Sequence, residues 1–231
     1  MTMSETTANQ APEATLQQTL DRTDFGHWMF EHRKSFIAAV VVAFVGASGV
    51  LLFKQYQEKL AKERSAEVAQ FEMAVAAELR AGKVTPADFD TKYKALSSDV
   101  KASPSMLPVA LQTAVYLDGK GESAMAEVVL KDVVTAIGAK SPLYVLVAHS
   151  YAALAEKNGK ADEAIKTLEA YIAEGHKIML TKAYLDLGRL YLAKSDAAKA
   201  KTNFDYIVAN YPNDELAKMA RMYLQQIPAA Q

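Results

Sequence analysis

Along most of the chain, apolar side chains return every third or fourth position, the period of a helix that buries one face. Between Phe36 and Phe53 the pattern changes: eighteen residues pass without a charge, and only Ser48 breaks the apolar run. At a helical rise these residues cover about 27 Å, close to the hydrocarbon thickness of a bilayer. A buried helix of a soluble domain would show a polar stripe over that length, so residues 36–53 are predicted to form a transmembrane helix. Gly46, Ala47, Ser48 and Gly49 resemble a signal cleavage site. However, the apolar run continues through Val50, Leu51, Leu52 and Phe53, and 35 residues precede it, which together predict an uncleaved anchor.

The flanks bear on orientation. Arg33 and Lys34 sit directly before the span with Arg22 further back, while Lys54, Lys59, Lys62 and Arg64 follow it. Counting only the nearest cations places the N-terminus in the cytoplasm and the C-terminal domain across the membrane. Trp28 and Phe30 fall where aromatic rings suit the headgroup layer, or form a short apolar patch in a loop. On the span itself, Ala39, Ala43 and Ala47 recur every four residues. That spacing suits close approach of another helix, and it is also ordinary lipid-facing filler.

The first 35 residues are predicted to be a flexible tail, poor in large apolar side chains. Residues 54–231 read as one helical domain. The first helix continues beyond the span through a segment rich in Ala, Glu, Lys and Leu and stops at Gly82. Further helices are expected from Pro86 to about Val100, Leu107 to Asp118, Glu122 to Ile137, Pro142 to Lys157, Asp162 to Ala173, Ile178 to Lys194, Ala197 to Ala209 and Glu215 to Gln226. No segment reads convincingly as a strand, so the expected class is all-α.

These helices come in pairs with a recurring pattern. In residues 181–214 the positions Tyr184, Leu187, Gly188, Tyr191, Ala200, Phe204 and Pro212 resemble the tetratricopeptide repeat. Tyr184 stands where tryptophan is usual and Ile207 where alanine is usual. Small residues at 188 and 200 allow two helices to cross closely, Leu187, Tyr191 and Phe204 fill the space around the crossing, and Pro212 ends the second helix. A weaker copy at 145–178 places Ala152, Ala164 and Leu168 at the positions of Gly188, Ala200 and Phe204. Another at 107–140 places Ala114, Ala126 and Leu130 there, and residues 66–103 read as a more degenerate pair. The C-terminal helix, with Asp214 as N-cap, reads as the cover of the open end. The resemblance implies a right-handed α-solenoid behind the membrane helix.

Composition excludes more than it assigns. Of 231 residues, 51% are hydrophobic and 23% charged, with a net charge of -1, so no basic footprint for nucleic acid stands out. The absence of cysteine removes disulfides, thiol catalysis and cysteine-ligated metals. His27, His32, His149 and His176 form no HxxxH or HExxH pair, and phosphate-loop, nucleophile-elbow and dinucleotide motifs are absent. Carboxylates such as Asp162, Glu163, Asp214 and Glu215 lie at helix starts, where the helix dipole favours them. No cofactor, metal, small-molecule substrate or catalytic activity is expected.

A repeat array instead offers a groove lined by its first helices. The frame of the last repeat puts Leu111 and Val115, then Leu146, His149 and Ala153, then Lys182, Leu185, Arg189 and Leu192 on that face. Repeats that grip the acidic tails of heat-shock chaperones carry a clamp of Lys, Asn and Arg, and only Lys182 and Arg189 serve here. The mainly apolar face suits an unfolded segment or a partner's helix, although Leu111, Leu146 and Leu185 equally fit an inter-repeat core.

The lead FGHWMFEHRKSF, one span, the exit FKQYQEK and degenerate tetratricopeptide pairs together resemble the ancillary single-pass subunit of the bacterial Sec translocon. The resemblance implies an inner-membrane protein with a periplasmic repeat domain. Its implied partners are the SecYEG channel, a membrane-anchored periplasmic chaperone and emerging unfolded polypeptides. Two other roles fit the same layout: a periplasmic scaffold for envelope or division machinery, and an anchored repeat receptor facing the cytosol.

Overall fold

The computed structural model describes Trp28 and residues 32–227. The expected tail, residues 1–35, lies almost entirely outside the described residues, as does Phe30. By internal contacts the chain divides into two compact units, Met1–Lys59 and Leu60–Gln231. Most of the described residues fall in helices, joined by turns and short irregular links, and there is no strand among them.

The described part of the first unit is the leading portion of helix α1, Arg33–Phe71. Among the described residues one helix, Arg33–Arg80, is long and apolar enough to cross a membrane, and none of its apolar window is buried against protein. Ile37, Val41, Phe44, Val45, Leu51 and Phe53 all stand open. Ala39, Ala43 and Ala47 are exposed as well. Just ahead of α1, Trp28 stacks on His32 with ring centroids 5.0 Å apart, and His32 Nδ1 lies 3.0 Å from the Trp28 carbonyl.

The second unit opens with the end of α1, where Val68 and Phe71 are buried. A π-helical turn, Glu72–Ala76, then interrupts the α-helical ladder before α2, Ala77–Arg80. The extra residue of a π turn rotates the chain that follows. Here Arg80 still reaches back to pair with Glu72, and its Nη1 donates to Thr113 Oγ1 at 3.3 Å.

Where the sequence predicts one helix from Pro86 to about Val100, two form: α3, Pro86–Lys94, and α4, Ser98–Lys101. The break has a local cause. Ser97 takes up an extended backbone and its hydroxyl accepts from the Val100 amide at 3.3 Å, capping a new helix where the first would otherwise continue. Thr85 caps α3 in the same way, with Pro86 in the first turn. Phe71, Phe89 and Tyr93 form an aromatic nucleus with centroids 5.6–6.1 Å apart, and the Tyr93 hydroxyl donates to the Val129 carbonyl.

Three antiparallel pairs follow: α5, Met106–Gly119, with α6, Ser123–Ile137; α7, Tyr144–Lys157, with α8, Ala161–Ala173; and α9, Leu180–Ala193, with α10, Ala197–Asn210. Each second helix also packs on the first helix of the next pair, and α11, Glu215–Gln226, covers α10. One turn geometry joins the helices within each pair. Gly121, Gly159 and Ser195 take positive φ of 87°, 77° and 62°, and the amide after each returns to a carbonyl near the end of the preceding helix.

The crossings sit on the small residues. Ala114, Ala126 and Leu130 are buried in the first pair, Ala152, Ala164 and Leu168 in the second, and Gly188, Ala200 and Phe204 in the third. Leu187 and Tyr191 are buried too, whereas Tyr184 is half-buried and stacks on Tyr206 at 3.8 Å. Pro212 lies exposed beyond α10, its carbonyl held by Arg221.

Candidate interaction face

The first helices of the three pairs, α5, α7 and α9, bring the expected groove residues onto one succession of helices, but those residues do not share one environment. Val115 and Leu146 are 74% and 55% exposed, large apolar side chains held open by a rigid scaffold. Ala153 is exposed; Leu111, Lys182, Arg189 and Leu192 are half-buried. Leu185 and His149 belong to the packed interior. Periodicity alone does not separate the two groups, because a helix packed on both sides buries positions that a groove frame assigns to the surface.

Between α5 and α7 lies a cavity of about 190 Å³, lined by Leu111, Ala114, Val115, Asp118, Leu130, Ser150 and Leu154. Its walls are mainly aliphatic, with Asp118 and Ser150 as the polar members. Between α7 and α9 the character changes. A smaller pocket of about 50 Å³ is bordered by Ala152, Ala153, Glu156, Lys182, Asp186 and Arg189.

The charges on this face are matched within the protein. Arg189 grips Glu156 with Nη1 and Nη2, each bond 2.9 Å, and Nη2 also lies 3.5 Å from Asp186 Oδ1. Lys182 pairs with Asp186 one turn along α9. Lys157 pairs with Asp118 across the first two pairs, and that ammonium hydrogen bond holds the Asp118 carboxyl below the usual carboxylate range. Lys182 and Arg189, the two cations suited to a carboxylate clamp, are therefore already engaged.

The opposite seams are stapled in the same fashion. Lys101 binds Asp132 at 2.8 Å and lies over the Tyr93 ring; Lys131 binds Glu163 at 2.6 Å; Lys194 pairs with Asp162. Glu163 also accepts from the Tyr151 hydroxyl. Lys131 first, and Tyr151 second, hold its carboxyl low, while burial pushes the Tyr151 hydroxyl up. The Glu127 carboxylate is fully buried: Lys160 Nζ donates to it at 2.8 Å and Asn158 Nδ2 at 3.0 Å, both from the turn after α7. Sequence reasoning passes over Glu127, since its partners lie more than thirty residues away. The available signal is a charged residue in the apolar stripe of α6.

His149 is 8% exposed, and neither ring nitrogen has a hydrogen-bond partner in the protein. Its ring meets Tyr171 edge-on at 5.0 Å. Burial, followed by the Lys182 charge, holds the imidazole below its ordinary pKa. Among the described residues no group of three or more His, Asp or Glu side chains is placed to hold a metal ion.

A family profile described as a tetratricopeptide repeat-like domain matches residues 26–182. Among solved structures, the chain is similar to the nearly identical TPR-like repeats of a kinesin light chain from Podosopora anserina. The identity is 21% and the TM-score 0.50, over 75% of this chain and 84% of that one. A single-residue variant of the same protein gives the same values. At this identity the likeness concerns the fold. No curated protein matches the chain.

Proposed function

Because the chain belongs to the tetratricopeptide repeat-like domain family, we propose that it is a membrane-anchored, non-catalytic adaptor that holds apolar polypeptide segments on its α5–α7–α9 face. Repeats of this kind serve protein–protein interaction. The observation that carries the reading is Val115, exposed in the lining of a mainly aliphatic cavity, together with Leu146, exposed on the next first helix. Isolated exposed apolar residues need no explanation, but one lining a preformed cavity with a second on the neighbouring first helix suits the side chains of an extended or helical partner. Internal pairing of Lys182 and Arg189 argues against an acidic tail as the ligand at neutral pH.

In this reading residues 36–53 anchor the protein in a bacterial inner membrane and the repeat domain stands in the periplasm. There it assists secreted or envelope polypeptides as an ancillary subunit of the SecYEG channel, beside a membrane-anchored chaperone. Support comes from the long apolar helix and from the resemblance in layout. The test is purification of the tagged full-length protein in mild detergent with mass spectrometry of what accompanies it. Channel subunits and a periplasmic chaperone, lost from a Leu146→Glu variant, are the expected result. Envelope or division proteins without the channel would move the function to a scaffold. Topology is read separately from a Ser195→Cys variant, in a chain otherwise free of cysteine. Labelling by an impermeant maleimide is expected in cells with a permeabilised outer membrane, and protection there would place the domain in the cytosol.

A further inference from the structure

Because the helices of the second unit alternate in direction, the turns within pairs and the links between pairs lie at opposite edges. The turns, residues 120–122, 158–160 and 194–196, hold only glycine and polar or charged side chains. The links are different. Pro104, Pro142, Ile178, Met179 and Tyr211 stand exposed there, with Ile178 at 65% and Met179 at 49%. Large apolar side chains at the tips of one edge only are a surface feature that packing within the domain does not explain.

The α8–α9 link that carries Ile178 and Met179 is fastened down. His176 packs its ring on Tyr144 and Tyr171, with centroids 6.1 and 5.0 Å away, and its Nε2 donates to the Ala139 carbonyl of the preceding link at 2.7 Å. The Tyr171 hydroxyl donates to the Ile178 carbonyl. Met179 holds a φ of 56°, a conformation that costs a residue with a Cβ. The two apolar side chains are thus presented from a fixed backbone.

The same edge receives α1. Arg64 pairs with Asp99 at 2.7 Å, Ser65 Oγ lies 3.5 Å from Ser105 Oγ, and Arg80 reaches Thr113, so the end of α1 and α2 run beside α5 in the same direction. Residues 54–59 alone join the predicted span to this unit, and even fully extended they reach only about 20 Å. Lipid that holds residues 36–53 is therefore close to the edge where α1 enters. Charge decides little there, since the exposed Lys140 and Lys177 are accompanied by Glu174 in the same links.

We propose that the α8–α9 link is a second membrane contact: Ile178 and Met179 insert among lipid headgroups and steady the repeat domain against the bilayer that its anchor spans. The proposal rests on the reading of residues 36–53 as a membrane anchor. Being apolar, the contact needs no anionic lipid.

The test uses the full-length chain, which has no cysteine of its own, reconstituted in phosphatidylcholine vesicles. Single variants Lys177→Cys, Ser195→Cys and Val45→Cys carry an environment-sensitive fluorophore, and a lipid with a nitroxide at the top of its acyl chain is the quencher. The label at 177 is expected to be quenched about threefold more strongly than the label at 195, on the opposite edge. Adding Ile178→Ser and Met179→Asn to Lys177→Cys should abolish the difference; both side chains are exposed, and asparagine suits the φ of residue 179. Equal quenching at 177 and 195 with a strongly quenched label at 45 overturns the proposal and leaves the anchor standing. A difference that survives the double substitution overturns it as well. A label at 45 that is not quenched refutes the anchor itself, and the proposal with it.

Discussion

A Cβ built on Gly188 falls 2.3 Å from Cε1 of Phe204, well inside any van der Waals contact. The last repeat is closed by a ring lying directly on the backbone of the helix it crosses. Phe204 is fully buried, and its other neighbour is Tyr223 of α11, stacked at 5.0 Å. Gly188→Ala must displace the ring or spread the helices, at a cost of about 1–3 kcal/mol read by urea denaturation. The two preceding pairs hold Ala with Leu at these positions, so Gly188→Ala combined with Phe204→Leu is expected to recover at least half of the loss. A double variant less stable than Gly188→Ala would refute steric closure as the cause.

Ser195 occupies the turn position that Gly121 and Gly159 fill in the preceding pairs, at a φ of 62°. A residue with a Cβ is strained there, partly offset by its smaller loss of backbone freedom on folding. Ser195→Gly should stabilise the domain by about 0.5 kcal/mol, seen as a higher thermal midpoint, whereas Gly159→Ser should lower it.

The pH dependence of stability follows from His149. Its folded pKa is depressed, so the unfolded chain takes up the proton more readily. The contribution is therefore fully present above the ordinary histidine value, about 6.5, and is lost as pH falls through the lower folded value. The thermal midpoint of the wild-type chain should fall between pH 6.5 and pH 5 by more than that of His149→Phe. Asp118 and Glu163, whose carboxyls are held low by lysines, act in a separate window. Their contribution is present above the ordinary carboxylate values and lost only as pH falls below about 4.

For the buried Glu127, the order of effects matters more than their size. Glu127→Gln removes the charge and keeps an acceptor for the Asn158 amide; Lys160→Met leaves the charge in place with only Asn158 to compensate it. Lys160→Met should therefore lower the melting midpoint further than Glu127→Gln. The reverse order would refute the Lys160 ion pair as what makes the buried Glu127 tolerable.

Helix positions were legible because each depends on neighbours three or four residues away. The limits of α5, α6, α8, α10 and α11 lie within one residue of those expected, and the crossing residues follow the repeat frame. α9 starts at Leu180 rather than Ile178, after Met179 at a positive φ, a loop conformation with no periodic signature. The π turn at Glu72–Ala76 and the cap at Ser97 were hidden, since one residue gained or one hydroxyl turned inward hardly alters an apolar pattern. Least visible was the state of the charges. Lys182 and Arg189 read as available cations until the fold places Asp186 and Glu156 against them. The groove frame likewise treats His149 and Val115 alike, although the first is buried against Tyr171 of α8 and the second stands open.

The Glu127 joint also limits how such an array can change. Its carboxylate has acceptable surroundings only where the next pair brings a turn with asparagine and lysine in the places of Asn158 and Lys160. The matching turn of the last pair, Lys194–Ser195–Asp196, offers an aspartate in place of Lys160. A rearrangement that joined α6 directly to α9 and α10 would put an aspartate where Lys160 now meets the buried Glu127, and exchange the Asn158 amide for the longer Lys194 side chain. The order of the units is thus written into their contacts, and the protein is less free to gain or lose a repeat by recombination than a series of similar modules would suggest.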